Sequence, residues 1–208
     1  MRKGIAACAG MICGLVLLFV GFLGPWYVIN AGILGSDYHA GLFLTKMELR
    51  APGQDIFVSM GYAEAETNAQ NLHMNTESFA VIDIALYLTL LGLVTTVLSV
   101  LFIAAFVFEK GKPKTMKLMG GCFAFLTFLL TLLPALYFMN TEFVENSGGF
   151  WFNLSLFGMT FSGGPGYAWY LMLVVAVISL ICATVVLLIK IQPADASTEK
   201  VVPPSASE

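Results

Sequence analysis

The side chains of this 208-residue chain that could do chemistry are few and scattered. Both histidines, His39 and His73, fall in one polar stretch, and His73 stands four residues before Glu77. That spacing puts two side chains on one helix face, but protein zinc sites use three or four ligands. The four cysteines all fall in long apolar runs, where no outer disulfide is expected: Cys8, Cys13, Cys122 and Cys182. No nucleophile elbow, haem motif or phosphate-binding glycine loop is present, so we expect a non-enzymatic protein without metal or cofactor.

The elements that would position these side chains are dominated by apolar sequence. The chain is 58% hydrophobic and 11% charged, with a mean hydropathy of +0.85. A helix needs about 20 apolar residues to cross a bilayer core of about 30 Å. Four runs reach that length, at about residues 5–29, 79–108, 118–139 and 167–189. They predict an all-α membrane protein, a four-helix bundle, because helix satisfies every backbone polar group inside lipid.

The distribution of basic residues predicts which way the bundle faces. Eight of the ten basic residues flank the ends of helices on one side: Arg2, Lys3, Lys110, Lys112, Lys114, Lys117, Lys190 and Lys200. Lys and Arg in short loops mark the cytoplasmic side. We therefore expect both termini in the cytoplasm of a plasma-membrane protein, with outer loops at 30–78 and 140–166. The bundle would form one domain, 1–191, followed by a disordered tail, 192–208. The start of the chain also fits a cleaved signal peptide.

The first outer loop predicts a β-hairpin. Between residues 42 and 49 the sequence alternates, so that Phe43, Thr45, Met47 and Leu49 would share one face, opposite Lys46 and Glu48. Residues 50–54 contain the Pro-Gly pair of a turn, and residues 55–60 form the returning strand. Residues 61–76 predict a short helix that leads into the second membrane span.

The second outer loop predicts one aromatic strand within residues 148–161 that joins this hairpin in a small antiparallel sheet. A loop dipping into the lipid headgroups is the alternative. Exposed aromatic and charged side chains of the sheet are candidate contacts for another protein: Phe43, Lys46, Glu48, Asp55, Phe57, Trp151 and Phe157. Asn153 begins the glycosylation sequon Asn153-Leu154-Ser155.

Short motifs resemble those of the claudin and peripheral-myelin-protein group. Gly41-Leu42-Phe43 stands where claudins carry Gly-Leu-Trp, and Pro52-Gly53-Gln54 resembles the turn that follows. Lys114-Thr115, with Gly120-Gly121 and Leu133-Pro134, resembles the claudin third helix. The paired cysteines of the claudin first loop are absent. The resemblance implies four membrane helices and an outer sheet that supports side-by-side assembly and can line a paracellular path.

Two functions follow as hypotheses. The first is lateral self-association, cell adhesion or barrier formation through the outer sheet. Any path lined by the first loop would favour cations, because the loop holds six acidic residues, among them Glu48, Asp55 and Glu64, and two basic ones. The second is an accessory subunit of a transporter, channel or respiratory assembly. The expected partners are the lipid bilayer and a second copy or another membrane protein, and not nucleic acid.

Overall fold

A computed structural model describes residues 2–33, 35–52, 58–71, 77–108, 113–139 and 149–190. Its helices are α1 Arg2–Leu23, α2 Tyr62–Asn71, α3 Glu77–Val107, α4 Pro113–Met139 and α5 Tyr167–Leu188. In this described part of the chain, four helices are long and apolar enough to cross a membrane, namely α1, α3, α4 and α5. This confirms the four predicted long helices and indicates an integral membrane protein.

The first predicted helix ended too late. We expected it to continue to residue 29, but α1 ends at Leu23, and Tyr27–Ile33 form strand β1. Gly24 and Pro25 separate the two elements, because proline cannot continue the helix hydrogen bonding. The third predicted span began too late, since α4 already starts at Pro113.

Small and hydroxyl-bearing side chains hold α3 against α4. Oγ1 of Thr127 on α4 lies 3.0 Å from Oγ1 of Thr95 on α3, and Ser99 Oγ donates to the Gly120 carbonyl at 3.0 Å. A Cβ atom at Gly120 would lie 2.8 Å from Cγ1 and 3.2 Å from the backbone nitrogen of Ile103. Close backbone approach through glycine, together with hydroxyl contacts, is the usual way helices associate in lipid.

In the described part of the chain, six strands form one sheet at one end of the bundle. Its strands are β1 Tyr27–Ile33, β2 Ser36–Leu42, β3 Lys46–Arg50, β4 Val58–Gly61, β5 Phe152–Leu156 and β6 Met159–Pro165. Their spatial order is β4-β3-β2-β1-β6-β5, and every neighbouring pair is antiparallel. The sheet end of the bundle is therefore where α1 and α4 finish. The opposite end, where α4 begins and α5 finishes, is called the lysine end below.

The sheet is larger than the one predicted. The β3–β4 hairpin and the short helix α2 were expected, whereas β1 and β2 were not. The second loop forms a two-stranded hairpin, β5–β6, where we predicted one strand. It joins the first loop through the pairing of β6 with β1, so both loops do share one sheet.

The joints between helices and strands are tight. The amide of Gly166, just before α5, donates to the Trp26 carbonyl at 2.8 Å. A Cβ atom at Gly166 would lie 2.0 Å from the carbonyl oxygen of Pro25, a distance that no side chain could tolerate. The chain leaving α1 and the chain entering α5 thus touch, which ties the sheet to the bundle.

An aromatic core fills the space where sheet and bundle meet. Tyr27 and Phe150 lie with ring centroids 5.8 Å apart, and Phe150 lies 5.2 Å from Trp169. The Tyr27 hydroxyl donates to the Phe150 carbonyl at 3.1 Å, and the Trp169 indole nitrogen donates to the Ala135 carbonyl at 2.9 Å. Burial raises the pKa of Tyr27. Buried Tyr and Trp side chains usually find a hydrogen-bond partner for their polar atom, and the Trp26 indole nitrogen in the same core is an exception among the described residues.

Candidate functional site

The two faces of the sheet differ in chemistry. Residues paired directly across antiparallel strands lie on the same face, and the row that continues from Tyr27 through Leu42, Met47 and Met60 is apolar. The opposite face carries a row in which His39 pairs with Asn30 on one side and Arg50 on the other. The apolar face meets the bundle, and the polar face is turned away from that core.

On the polar face, β3 carries three charged side chains at alternate positions. Lys46 Nζ lies 2.6 Å from Glu48 Oε1, and an Arg50 guanidinium nitrogen lies 3.5 Å from Glu48 Oε2. The Lys46 ammonium also sits 5.5 Å from the centroid of the Phe43 ring. We call Phe43, Lys46, Glu48 and Arg50 the β3 charge cluster. Alternate residues of a strand point to one face, so the strand itself sets this arrangement.

Glu48 is the centre of the β3 charge cluster. Its side chain is only 8% exposed, whereas those of Lys46 and Arg50 are 45% and 54% exposed. The hydrogen bond from Lys46 is the main reason that the pKa of Glu48 lies below its ordinary value, with the charges of both bases adding to it and burial opposing it. The carboxylate is therefore ionised and neutralised by its neighbours near pH 7.

A cleft of about 520 Å³ opens beside this cluster. Phe43 and Tyr167 form part of its walls, and His39, Glu48 and Arg50 contribute polar atoms. His39 Nδ1 lies 2.6 Å from Oδ1 of Asn30, which holds the ring against β1.

The turn from β2 to β3 is fixed as well, because the buried Tyr62 hydroxyl of α2 donates to the Phe43 carbonyl. Burial raises the pKa of Tyr62. This side of the sheet is consequently well anchored.

At the other side of the sheet, the tip of the β5–β6 hairpin is neither anchored nor buried. Phe157 is 98% exposed and has a positive φ of 51°, and Gly158 follows with φ 77°. Two-residue hairpin turns with positive φ at both positions favour Asn-Gly, and a bulky side chain there is strained by about 1–2 kcal/mol.

Next to it on β5, Leu154 and Leu156 are 47% and 56% exposed. We call Leu154, Leu156 and Phe157 the tip patch. β5 is also the last strand of the sheet on this side, so its outer edge has no neighbouring strand in the part of the chain that the structure describes. The tip patch therefore combines exposed apolar side chains with an open strand edge.

The structure brings only some of the predicted site residues together. Phe43, Lys46 and Glu48 form one cluster, whereas Trp151 and Phe157 lie on the far side of the sheet. Trp151 is 58% exposed and packs against Phe150 at 4.8 Å between centroids.

The other predicted residues of the outer loops stay predictions. Asp55 and Phe57 lie outside the described residues, as does His73. Asn153 is exposed on β5, and its glycosylation stays a prediction.

Phe43 itself faces the side opposite to the one we predicted. We placed it with Met47, but its ring lies against Gly41, on the face that Glu48 shares. The reason is that β3 begins only at Lys46, and the Phe43 amide donates to the Lys46 carbonyl at 2.9 Å in a turn that breaks the alternation.

Two members of this site were missed in the sequence. Arg50 was assigned to the turn after β3, although its spacing from Lys46 and Glu48 continues the polar face and would have identified it. Tyr167 was not among the predicted site residues, because only the pairing of β1 with β6 brings it to the cleft.

Neither the protein-family models nor the curated proteins compared with this sequence gave a match. Within the described residues, no three His, Cys, Asp or Glu side chains come together as a metal site. Within the described residues, the fold defines a class: a protein with four membrane-length helices and a six-stranded antiparallel sheet at one end of them.

Proposed function

We propose that this protein is a non-enzymatic membrane protein that associates side by side with copies of itself through the tip patch. The observation that carries this proposal is the fully exposed Phe157 at a strained turn position. An exposed aromatic side chain that costs folding free energy is retained most simply when it contacts a partner. Exposed apolar patches mark sites of contact with other proteins or with a membrane. The pairing of Leu154 with Phe161, which pairs with Ala31, places this patch on the apolar face of the sheet.

The sheet would face the outside of the cell and the lysine end the cytoplasm. The basic residues that flank described helix ends support this orientation, because Arg2 and Lys3 start α1, Lys114 and Lys117 start α4, and Lys190 follows α5. All of these lie at the end of the bundle opposite the sheet, as expected for cytoplasmic lysines and arginines.

The resemblance to claudins also supports side-by-side association, but the first outer loop is stabilised by different contacts. This chain lacks the paired cysteines of the claudin loop. Four residue pairs join β3 to β4, and Tyr62 fixes the β2–β3 turn through the Phe43 carbonyl. These contacts would take over the role of a disulfide.

Glu48 is a poor candidate for attracting cations to a path along the sheet. Its carboxylate is buried and faces two bases at 2.6 Å and 3.5 Å, so its field is largely cancelled locally. Any cation preference would fall to exposed acids such as Asp37 and Glu64.

A test of self-association uses two double variants of β5. L154T/L156T removes the apolar side chains of the tip patch, and threonine preserves the preference for strand. N153T/S155T changes the neighbouring positions, which point to the other face of the same strand. We expect the first variant to lower the dimer fraction in nanodiscs, measured by mass photometry, about tenfold. The reason is that it removes exposed apolar area that the dimer would bury. The control should behave as the wild type.

Purification in mild detergent provides the second arm of this test. A homo-oligomer that depends on Leu154 and Leu156 supports the proposal. A monomer, or an oligomer equally stable in both variants, contradicts it. Co-purification with a larger membrane protein at fixed stoichiometry would instead favour an accessory subunit.

A further inference from the structure

At the lysine end, a groove of about 710 Å³ lies between the start of α4 and the end of α5. Its lining combines three lysines with apolar side chains: Lys114, Lys117, Leu118, Leu187, Ile189 and Lys190. We propose that this lysine groove binds one anionic phospholipid, with the phosphate headgroup held by the lysines and an acyl chain lying along the leucines. The inference is independent of the sheet and of self-association.

The positive charge of the groove is not balanced by acidic side chains among the described residues that line it. Lysine is its only charged residue type, and no acidic side chain is among the described residues that line it. Both ion pairs found in the described part of the chain involve Glu48, at the opposite end of the molecule. Lys114 and Lys190 therefore have no carboxylate partner among the described residues, and a phosphate would supply the missing negative charge.

Lys117 makes the groove a preformed structure. Its Nζ donates to the carbonyl oxygen of Ile189 at 2.7 Å, just beyond the last turn of α5. This bond ties the first turns of α4 to the end of α5, so the two walls are joined before any ligand arrives. An ammonium group has three donors, and two remain for a phosphate oxygen.

The apolar part of the lining points to a lipid as the source of the phosphate. Leu118 on α4 is 57% exposed and Leu187 on α5 is 41% exposed, and Leu188, which also lines the groove, is 74% exposed. These leucines lie within the two membrane-length helices, and Lys114 and Lys190 lie at their ends. Such a groove therefore meets the bilayer at headgroup depth, where basic pockets between helices bind anionic lipid headgroups.

The test measures lipid retention by native mass spectrometry after transfer from nanodiscs of phosphatidylglycerol and phosphatidylcholine into detergent. We expect phosphatidylglycerol to remain bound to the wild type and phosphatidylcholine to be lost. K114Q/K190Q should lower phosphatidylglycerol retention roughly tenfold, because two of the three charges are removed. Lys117 is left intact, so the contact that joins α4 to α5 is preserved.

The matched control is R2Q/K3Q, which removes the same charge from exposed positions at the start of α1 that do not line the groove. It should retain phosphatidylglycerol as the wild type does. Equal retention of both lipids by the wild type would overturn the proposal without any variant. If R2Q/K3Q lost as much phosphatidylglycerol as K114Q/K190Q, the lipid would be held by general surface attraction. If millimolar inorganic phosphate displaced all of the phosphatidylglycerol, the groove would be a site for free anions. Either result would also overturn the proposal.

Discussion

The β3 charge cluster and the tip patch lie towards opposite edges of one sheet. They differ in how far their side chains are buried and contacted by other residues. In the β3 charge cluster, Glu48 is buried and contacted by two bases. In the tip patch, Phe157 is 98% exposed in a left-handed backbone conformation. The ion pairs of Glu48 stabilise the sheet. The exposed ring of Phe157 makes almost no contact that could stabilise it.

This difference separates two kinds of candidate residue that look alike in a sequence. Lys46, Glu48 and Phe157 were all predicted as contact residues from their positions in polar, aromatic loops. A charge that is buried and paired has little left to offer a partner, whereas an exposed apolar ring has its whole surface available. Exposed apolar surface, and not residue type alone, therefore indicates which residues contact a partner.

The largest expected effect comes from breaking the β3 charge cluster with Glu48→Gln. The amide keeps the volume of the carboxylate but loses the charge that holds Lys46 and Arg50. Removing one partner of a deeply buried ion pair costs about 3–5 kcal/mol, but both bases here are about half exposed to solvent. We therefore expect a loss of about 1–2 kcal/mol in the free energy of unfolding, measured by thermal or denaturant unfolding in detergent.

Asp37→Asn is the matched control for this variant, because Asp37 is an exposed acid on neighbouring strand β2. It should change stability by less than about 0.5 kcal/mol. Equal stability of Glu48→Gln and the wild type would show that the β3 charge cluster does not stabilise the sheet.

A smaller effect should appear when the pH is lowered. The hydrogen bond from Lys46 lowers the pKa of folded Glu48 from its ordinary value of 4.5. A depressed carboxylate pKa adds stability above the pKa of the unfolded chain, and that stability is lost as the pH falls through the folded value. The stability difference between wild type and Glu48→Gln should therefore be constant from pH 7 to about 5 and shrink below about 4.5. A difference that stays constant down to pH 3 would contradict this role of the ionised carboxylate.

The membrane helices could be predicted from sequence because their signal is continuous apolar length, which needs no knowledge of tertiary contacts. The end of α1 could not be predicted from hydropathy, since Val28 and Ile29 are as apolar as the helix before them. They form a strand because β2 and β6 pair with them from both sides. Gly24-Pro25 was the local signal that the helix stops.

The candidate site was predictable only where strand alternation holds. Lys46 and Glu48 share a face as predicted, because β3 is a regular strand. Phe43 does not follow the alternation, since it precedes the strand in a turn. The hairpin tip was missed because Phe157-Gly158 lacks the usual Asn at the first turn position, so the sequence read as one continuous strand.

The central claim is that the tip patch serves a partner at a cost to folding, and Phe157→Asn tests it most directly. Asparagine tolerates positive φ and suits this turn, and almost no internal contact is lost because the phenyl ring is 98% exposed. We would measure the melting temperature in nanodiscs that hold a single copy, where dimerisation cannot contribute to stability, and the dimer fraction in nanodiscs that hold two copies. We predict opposite changes: a gain of about 0.5–1 kcal/mol in stability and a clear loss of dimer. A variant that dimerises as well as the wild type, or that loses stability, would contradict the account.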